Sequence, residues 1–387
     1  MLLIRNGYIA TMSGRDYERG SVLIDGGKIA AVGESIDLSL AREAQVLDAG
    51  GLIVMPGLID AHSHIGITEE KKGSAGDDCN ETCNPLTPTL RAIDAINPMD
   101  SAFHNAVASG ITSAMVGPGS SNVVGGQFAF IKLTGRSLDP MTVLFPAAMK
   151  IAFGENPKTN YGGNSNLPST RMSIASMLRE ELFLAQGYKK KRDDAQKNGE
   201  AFEPDFRMES YMPLFEGKIP LKAHVHRADD ILTAIRIAKE FSLSATLDHC
   251  TEGHLIPQEI AASGFPAIVG PSLASRTKPE VESLDFKTAG ILNKAGVLVA
   301  ITTDHPVTRI QYLPLCAGLA AREGLNEYEA LKAITINAAR ICRVSHRVGS
   351  LEPQKDADIA IFDGNPMDVF TKVVYTIING EIVYQKK

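Results

Sequence analysis

The sequence predicts an α/β protein: a (β/α)8 TIM-type barrel with a small composite β-sandwich domain formed by both termini. Three observations carry this. The middle of the chain, 56–345, alternates short apolar strands with helical segments, as βα units do. Both ends are instead runs of short strands with glycine turns. The chain has 387 residues. A barrel of this kind takes about 250, which leaves roughly a hundred or more for a second unit.

At the amino end, 2–10 reads as a strand and 20–33 as a hairpin, with Asp25-Gly26 as the turn signal. At the carboxyl end, 349–363 and 373–384 read as strands, with Asn379-Gly380 as a second turn. Neither end makes a stable sheet alone. The expected domains are therefore 1–55 plus 346–387, and 56–345 as the barrel. Within the barrel, 99–109, 173–197 and 228–241 keep helical spacing. Strands are expected at 110–116, 143–153, 221–226, 244–249, 267–270 and 297–303. Each strand ends in polar or glycine residues, and a barrel carries its active site at those ends.

Composition narrows the class of function. Hydrophobic residues make up 44% and net charge is −6. There is no basic footprint for nucleic acid and no long like-charge block. No apolar run approaches a membrane-spanning length, and the first residues lack a leader pattern. Five cysteines, sparse and odd in number, fit reduced thiols in a cytoplasmic protein.

The chemistry starts at Gly51-Leu-Ile-Val-Met-Pro-Gly-Leu-Ile-Asp-Ala-His62-Ser-His64. Side chains alternate along a strand, so His62 and His64 aim two imidazoles to one side. That suits a divalent metal, for which neutral imidazole is a common ligand. His224 and His226 repeat the spacing, His249 closes another strand, and Asp304 closes a fourth. Any one terminal histidine is ordinarily a satisfied surface or core group. Five of the nine histidines gather at three strand ends, and in a barrel those ends converge.

Pro56-Gly-Leu-Ile-Asp-Ala-His-Ser-His resembles the first-strand motif of the amidohydrolase superfamily. The order His-x-His, His, His, Asp and the segment Lys355-Asp-Ala-Asp-Ile-Ala extend the resemblance over nearly the whole chain. Lys222-Ala-His-Val-His-Arg-Ala-Asp-Asp-Ile is similar to the imidazolonepropionase-like branch. The resemblance implies a metal-dependent hydrolase of an amide or cyclic amide C–N bond. It implies His62, His64, His224 and His249 as ligands of one or two divalent ions, zinc first, with manganese or iron as alternatives. It implies Asp304 as general base on an activated water. A carboxylated lysine or a glutamate bridges in such sites, and both Lys150 and Glu155 are candidates. Glu155 is favoured because it sits where the strand should give way to a loop. His226 is expected to hold the carbonyl oxygen or orient a ligand, and Arg227 to pair with a substrate carboxylate. A helix-start salt bridge is an equal reading of Arg227.

The expected partner is a small-molecule substrate, with no nucleic acid and no membrane; a homodimer is an expectation of the resemblance only. Loops 66–98 and 154–172 are expected to set specificity. In the first, Cys79 and Cys83 are too few for a structural zinc and read as free thiols. Three rivals stand beside the hydrolase: a deaminase, an N-acetyl-sugar-phosphate deacetylase and a catalytically silent relative. Arg227 stands where a deaminase of this scaffold would carry glutamate.

Overall fold

The computed structural model describes residues 1–37, 44–163 and 167–386. Residues 164–166 of the second specificity loop lie outside the described residues. Two eight-stranded sheets organise the chain.

The first sheet takes strands from both ends. Leu2–Ile9 sits near its centre, paired with Tyr17–Asp25 on one side and with Ile53–Pro56 and Gln45–Asp48 on the other. Ile359–Phe362 then runs antiparallel to Ile53–Pro56 and joins the carboxyl-terminal hairpin Val373–Ile378/Glu381–Gln385. Two expected turns are present. Gly26 and Gly27 adopt φ of +55° and +78°, and Asn379 and Gly380 adopt +51° and +80°. A two-residue hairpin loop matched to strand twist needs such angles. The expected strand 349–363 shortens to Ile359–Phe362.

The second sheet is the barrel. Its strands are β1 (Leu58–Ser63), β2 (Ile111–Val116), β3 (Val124–Lys132), β4 (Thr142–Ala152), β5 (Leu221–Val225), β6 (Ala245–His249), β7 (Ala267–Val269) and β8 (Val299–Ile301). They pair in chain order. β3 departs from the plain (β/α)8 pattern, because it runs antiparallel to both β2 and β4. The other pairs are parallel. The seam between β1 and β8 closes through side chains: Thr302 Oγ1 lies 2.5 Å from Asp60 Oδ1 and 2.6 Å from the His62 carbonyl. His64 N–H donates to the His305 carbonyl at 2.9 Å.

Helices pack outside the strands. The helix Arg171–Asn198 starts on a Thr170 cap and ends at left-handed Gly199, a pair of stop signals suited to both termini. Inside the barrel, Ile59, Ala61, Met115, Phe128, Phe130, Ile268 and Ala300 are buried together. Phe128 packs against the His62 ring, with centroids 5.4 Å apart. The Lys150 and Lys222 ammonium groups stand 5.6 and 5.4 Å from the Phe128 ring centroid, a contact that suits cations withdrawn from water.

Candidate active site

A cavity of about 340 Å³ opens at the carboxyl ends of the barrel strands. Seven of the residues expected to carry chemistry converge in it: His62, His64, Lys150, His224, His226, His249 and Asp304. Their donor atoms form two groups. One is His62, His64 and Asp304; the other is His224, His226 and His249. Within each, the donor atoms all lie within 4.8 Å of one another.

The hydrogen bonds decide which ring nitrogens face inward. His62 Nδ1 meets Asp248 Oδ2 at 2.7 Å. His64 Nδ1 meets the Gly117 carbonyl and His249 Nδ1 the Gly270 carbonyl, each at 2.7 Å. A carbonyl or carboxylate accepts only, so the proton sits on Nδ1 and each Nε2 keeps a free lone pair. His62 Nε2 and His64 Nε2 lie 3.4 and 3.2 Å from Asp304 Oδ1. His226 Nδ1 pairs with Thr251 Oγ1 at 2.7 Å. His224 Nδ1, His249 Nε2 and Asp304 Oδ1 are buried without a hydrogen-bond partner. Unpartnered buried polar atoms are costly and rare, and here they belong to the donor set of a cation site. These residues fit a divalent metal.

Electrostatics agree for three of the histidines; at His64 burial lowers the pKa, but Cys79 and Asp304 outweigh it and bring it to about 10, so a bound cation would have to replace its proton. Burial, reinforced by neighbouring positive groups such as Lys150, pushes the His62 and His224 pKa values well below the usual histidine value; His249 also falls well below it, through burial. They are neutral, as ligands must be. Burial would raise Asp304, but His249, His64 and Lys150 outweigh it and the carboxyl is held low and ionised. His249 and Asp304 also adopt left-handed backbone, with φ of +73° and +51°. Such strain in non-glycine residues collects at functional sites.

Lys150 is fully buried near the end of β4, with Nζ 3.4 Å from His62 Nε2. Burial lowers its pKa to about 8, against the pull of Asp248 and Asp304. Glu155, the favoured bridging candidate, does not line the cavity. Gly154 turns the chain with φ of +84°, and Glu155 becomes the first residue of the helix Glu155–Gly162. Its backbone N–H donates to Glu280 Oε2 at 2.9 Å. Position therefore favours Lys150, reversing the expectation. Arg227 does not line the cavity either. It caps the helix Ala228–Glu240 and forks onto Asp229 at 3.0 and 3.1 Å, the salt bridge that was its other reading.

Several participants escaped the sequence reading. Lys222 Nζ lies 3.1 Å from Asp248 Oδ2 and donates to the Ala61 carbonyl at 3.0 Å. Both side chains are buried. The available signal was a charged residue inside an apolar strand. Cys79, already read from the sequence as a free thiol in the first specificity loop, is one and lines the cavity beside His64. Lys278 and Glu280, on the loop after β7, had no sequence signal at all.

A barrel that gathers histidines and an acid at its strand ends has the make-up of a metal-dependent hydrolase site. An amidohydrolase from Thermotoga maritima MSB8 has a solved structure that matches over 100% of both chains, with a TM-score of 0.96 and 41% identity. The amidohydrolase family profile matches residues 260–384. The chain belongs to the amidohydrolase family. Amidohydrolase tasK of Hapsidospora irregularis is 27% identical over 386 residues, which are 93% of this chain. This chain spans only 39% of that protein's length. An imidazolonepropionase of Sphingopyxis alaskensis is 22% identical over 97% of this chain and 95% of its own. The imidazolonepropionase-like resemblance is thereby supported. Among the described residues, no helix is long and apolar enough to cross a membrane.

Proposed function

We propose that the protein hydrolyses an amide or cyclic amide C–N bond using one or two divalent cations, zinc first. His62, His64 and Asp304 would hold one, His224 and His249 another, with carboxylated Lys150 between them. Carboxylation joins the neutral amine to CO2 and releases one proton. The observation that carries this reading is the set of unpartnered buried atoms, His224 Nδ1, His249 Nε2 and Asp304 Oδ1.

A bound divalent cation supplies acidification of water and polarisation of a carbonyl. The chain's own residues do the rest. The Asp304 carboxylate takes a proton from the attacking water and returns it to the leaving nitrogen, which otherwise leaves poorly. His226 Nε2 faces the substrate oxygen, its ring held by Thr251.

Metal analysis tests the reading. Purified protein should carry one or two equivalents, and His62→Ala and His249→Ala should each remove most of it. Full retention in both variants rejects the centre. A deaminase is the second reading. It is favoured by one observation: the buried Glu280 carboxylate stands 3.9 Å from His226 Nε2, although Arg227 occupies the expected position of glutamate. Ammonia release from aminopurines separates the two.

A further inference from the structure

With Arg227 turned onto Asp229, two lysines reach the cavity wall, Lys150 and Lys278. Lys150 is buried beside His62. Lys278 is different, because its side chain is 31% exposed and opens into the cavity. It is also held. Its Nζ lies 2.5 Å from Glu280 Oε1 and donates to Asn156 Oδ1 at 2.7 Å. Asn156 Nδ2 in turn donates to Ser120 Oγ at 2.7 Å.

Glu280 is an unusual anchor. It is 1% exposed, and its Oε2 already accepts from the Glu155 N–H. Its Oε1 also faces His224 Nε2 and His226 Nε2 at 3.8 and 3.9 Å. Oε1 itself makes no hydrogen bond, so its charge faces two imidazoles as well as Lys278. An ammonium has three N–H donors. One of Lys278's goes to Asn156, the ion pair with Glu280 fixes the head group, and the exposed part of the side chain lines the cavity. A free surface lysine loses about 1.5–2 kcal/mol of side-chain entropy when it grips a ligand; Lys278 has its head group placed beforehand. Asp77, which lines the cavity with Asp304, already accepts from Thr68 Oγ1 and the Cys79 N–H.

We infer that Lys278 is the specificity-determining residue of the cavity and receives a free carboxylate on the substrate. Glu280 and Asn156 position it. The substrate class is thus an amide bearing a carboxylate, and this rests on the hydrolytic reading above.

The test uses zinc-loaded protein and paired probes: N-acetyl-L-amino acids and dipeptides, each against its own carboxamide. Binding is measured by calorimetry and cleavage by amine release. Wild type should favour the acid of a pair by about tenfold or more, the worth of one charge-assisted hydrogen bond. Lys278→Met should bring the ratio near one, Lys278→Arg should keep most of it, and Glu280→Gln should lower it. Arg227→Ala should leave the ratio as in wild type. Circular dichroism and metal content check that each variant is folded and loaded. A wild-type ratio near one, an unchanged ratio in Lys278→Met, or no binding by any acid overturns the inference. Selective, Lys278-dependent binding of acids without cleavage upholds it and rejects the hydrolytic reading instead.

Discussion

Asp248 Oδ2 lies 2.7 Å from His62 Nδ1, and both side chains are fully buried. The same oxygen faces the Lys222 ammonium at 3.1 Å. One carboxylate thus fixes the ring of a candidate ligand and balances a buried cation. Asp248→Asn keeps the shape and removes the charge. Loss of such an outer partner typically lowers metal affinity about 10–100-fold. The variant should bind zinc that much more weakly in a chelator competition. It should also melt lower than wild type, because Lys222 is left buried without its counter-charge. Unchanged zinc affinity would mean that Asp248 does not orient His62 toward a metal.

Lys150 and Glu155 separate by the same logic. Lys150→Met should lose metal, whereas Glu155→Gln should keep it and change mainly stability. Carboxylation needs the uncharged amine, and burial holds the Lys150 pKa at about 8. The neutral fraction therefore rises as pH climbs through that value. At equal dissolved CO2, supplied by adjusting the bicarbonate, metal-stripped protein given zinc should regain activity faster at about pH 9 than at about pH 7, since one unit either side of the pKa changes the neutral fraction severalfold. A rate independent of bicarbonate, or metal loss in Glu155→Gln alone, rejects the lysine bridge.

The two sheets are joined by a buried charge cluster. Lys132, at the end of inverted strand β3, reaches Asp356 at 2.7 Å and Asp358 at 2.9 Å. Lys28 and Arg347 also contact Asp356. This supports the proposal that 1–55 and 346–387 act as one domain anchored on the barrel. Burial would raise Asp356, but Lys132, Lys28 and Arg347 outweigh it and bring its pKa to about 2, from 3.8. A lowered carboxyl pKa contributes stability that is present above the unfolded value and lost as pH falls through the folded one. Acid unfolding should therefore steepen between roughly pH 4 and 2. Lys132→Met should destabilise by about 3–5 kcal/mol, as when one member of a buried ion pair is removed. Urea titrations at neutral pH and in acid check both statements.

What the sequence disclosed follows from periodicity. The i, i+2 spacing of His62/His64 and the strand-end positions of His249 and Asp304 are local facts, and the barrel topology made them meet. Lys150 and Glu155 were harder to rank, because strand length decided between them. β4 runs to Ala152, and Gly154 then starts a helix at once, which left Glu155 off the cavity wall. β3 was invisible as a strand: Val124–Lys132 is buried at every position, so it has no alternation to read. Its reversed direction depends on pairing, which is a long-range fact. Lys278 and Glu280 matter only because their loop folds back over β5, again a property of tertiary packing.

Asp304 follows β8 directly, and its carboxylate reaches the same space as His62 Nε2 and His64 Nε2. Its φ of +51° makes the choice of substitution matter. Asparagine tolerates the left-handed region as aspartate does, whereas alanine adds backbone strain. Asp304→Asn should therefore leave the fold and most of the metal in place, checked by circular dichroism and metal analysis. It should still lower kcat, since loss of a general base typically costs about 10²–10⁴-fold. KM should change less, because the proton is moved in the transition state rather than in the bound ground state. His249, His64 and Lys150 hold the carboxyl low against its burial, so Asp304 stays ionised as pH falls toward the ordinary carboxylate range. The acidic limb of the wild-type pH–rate profile should then report the coupled site rather than Asp304 by itself. Wild-type turnover by Asp304→Asn, on any substrate that the native protein cleaves, would remove Asp304 from the chemistry and leave it as a ligand alone.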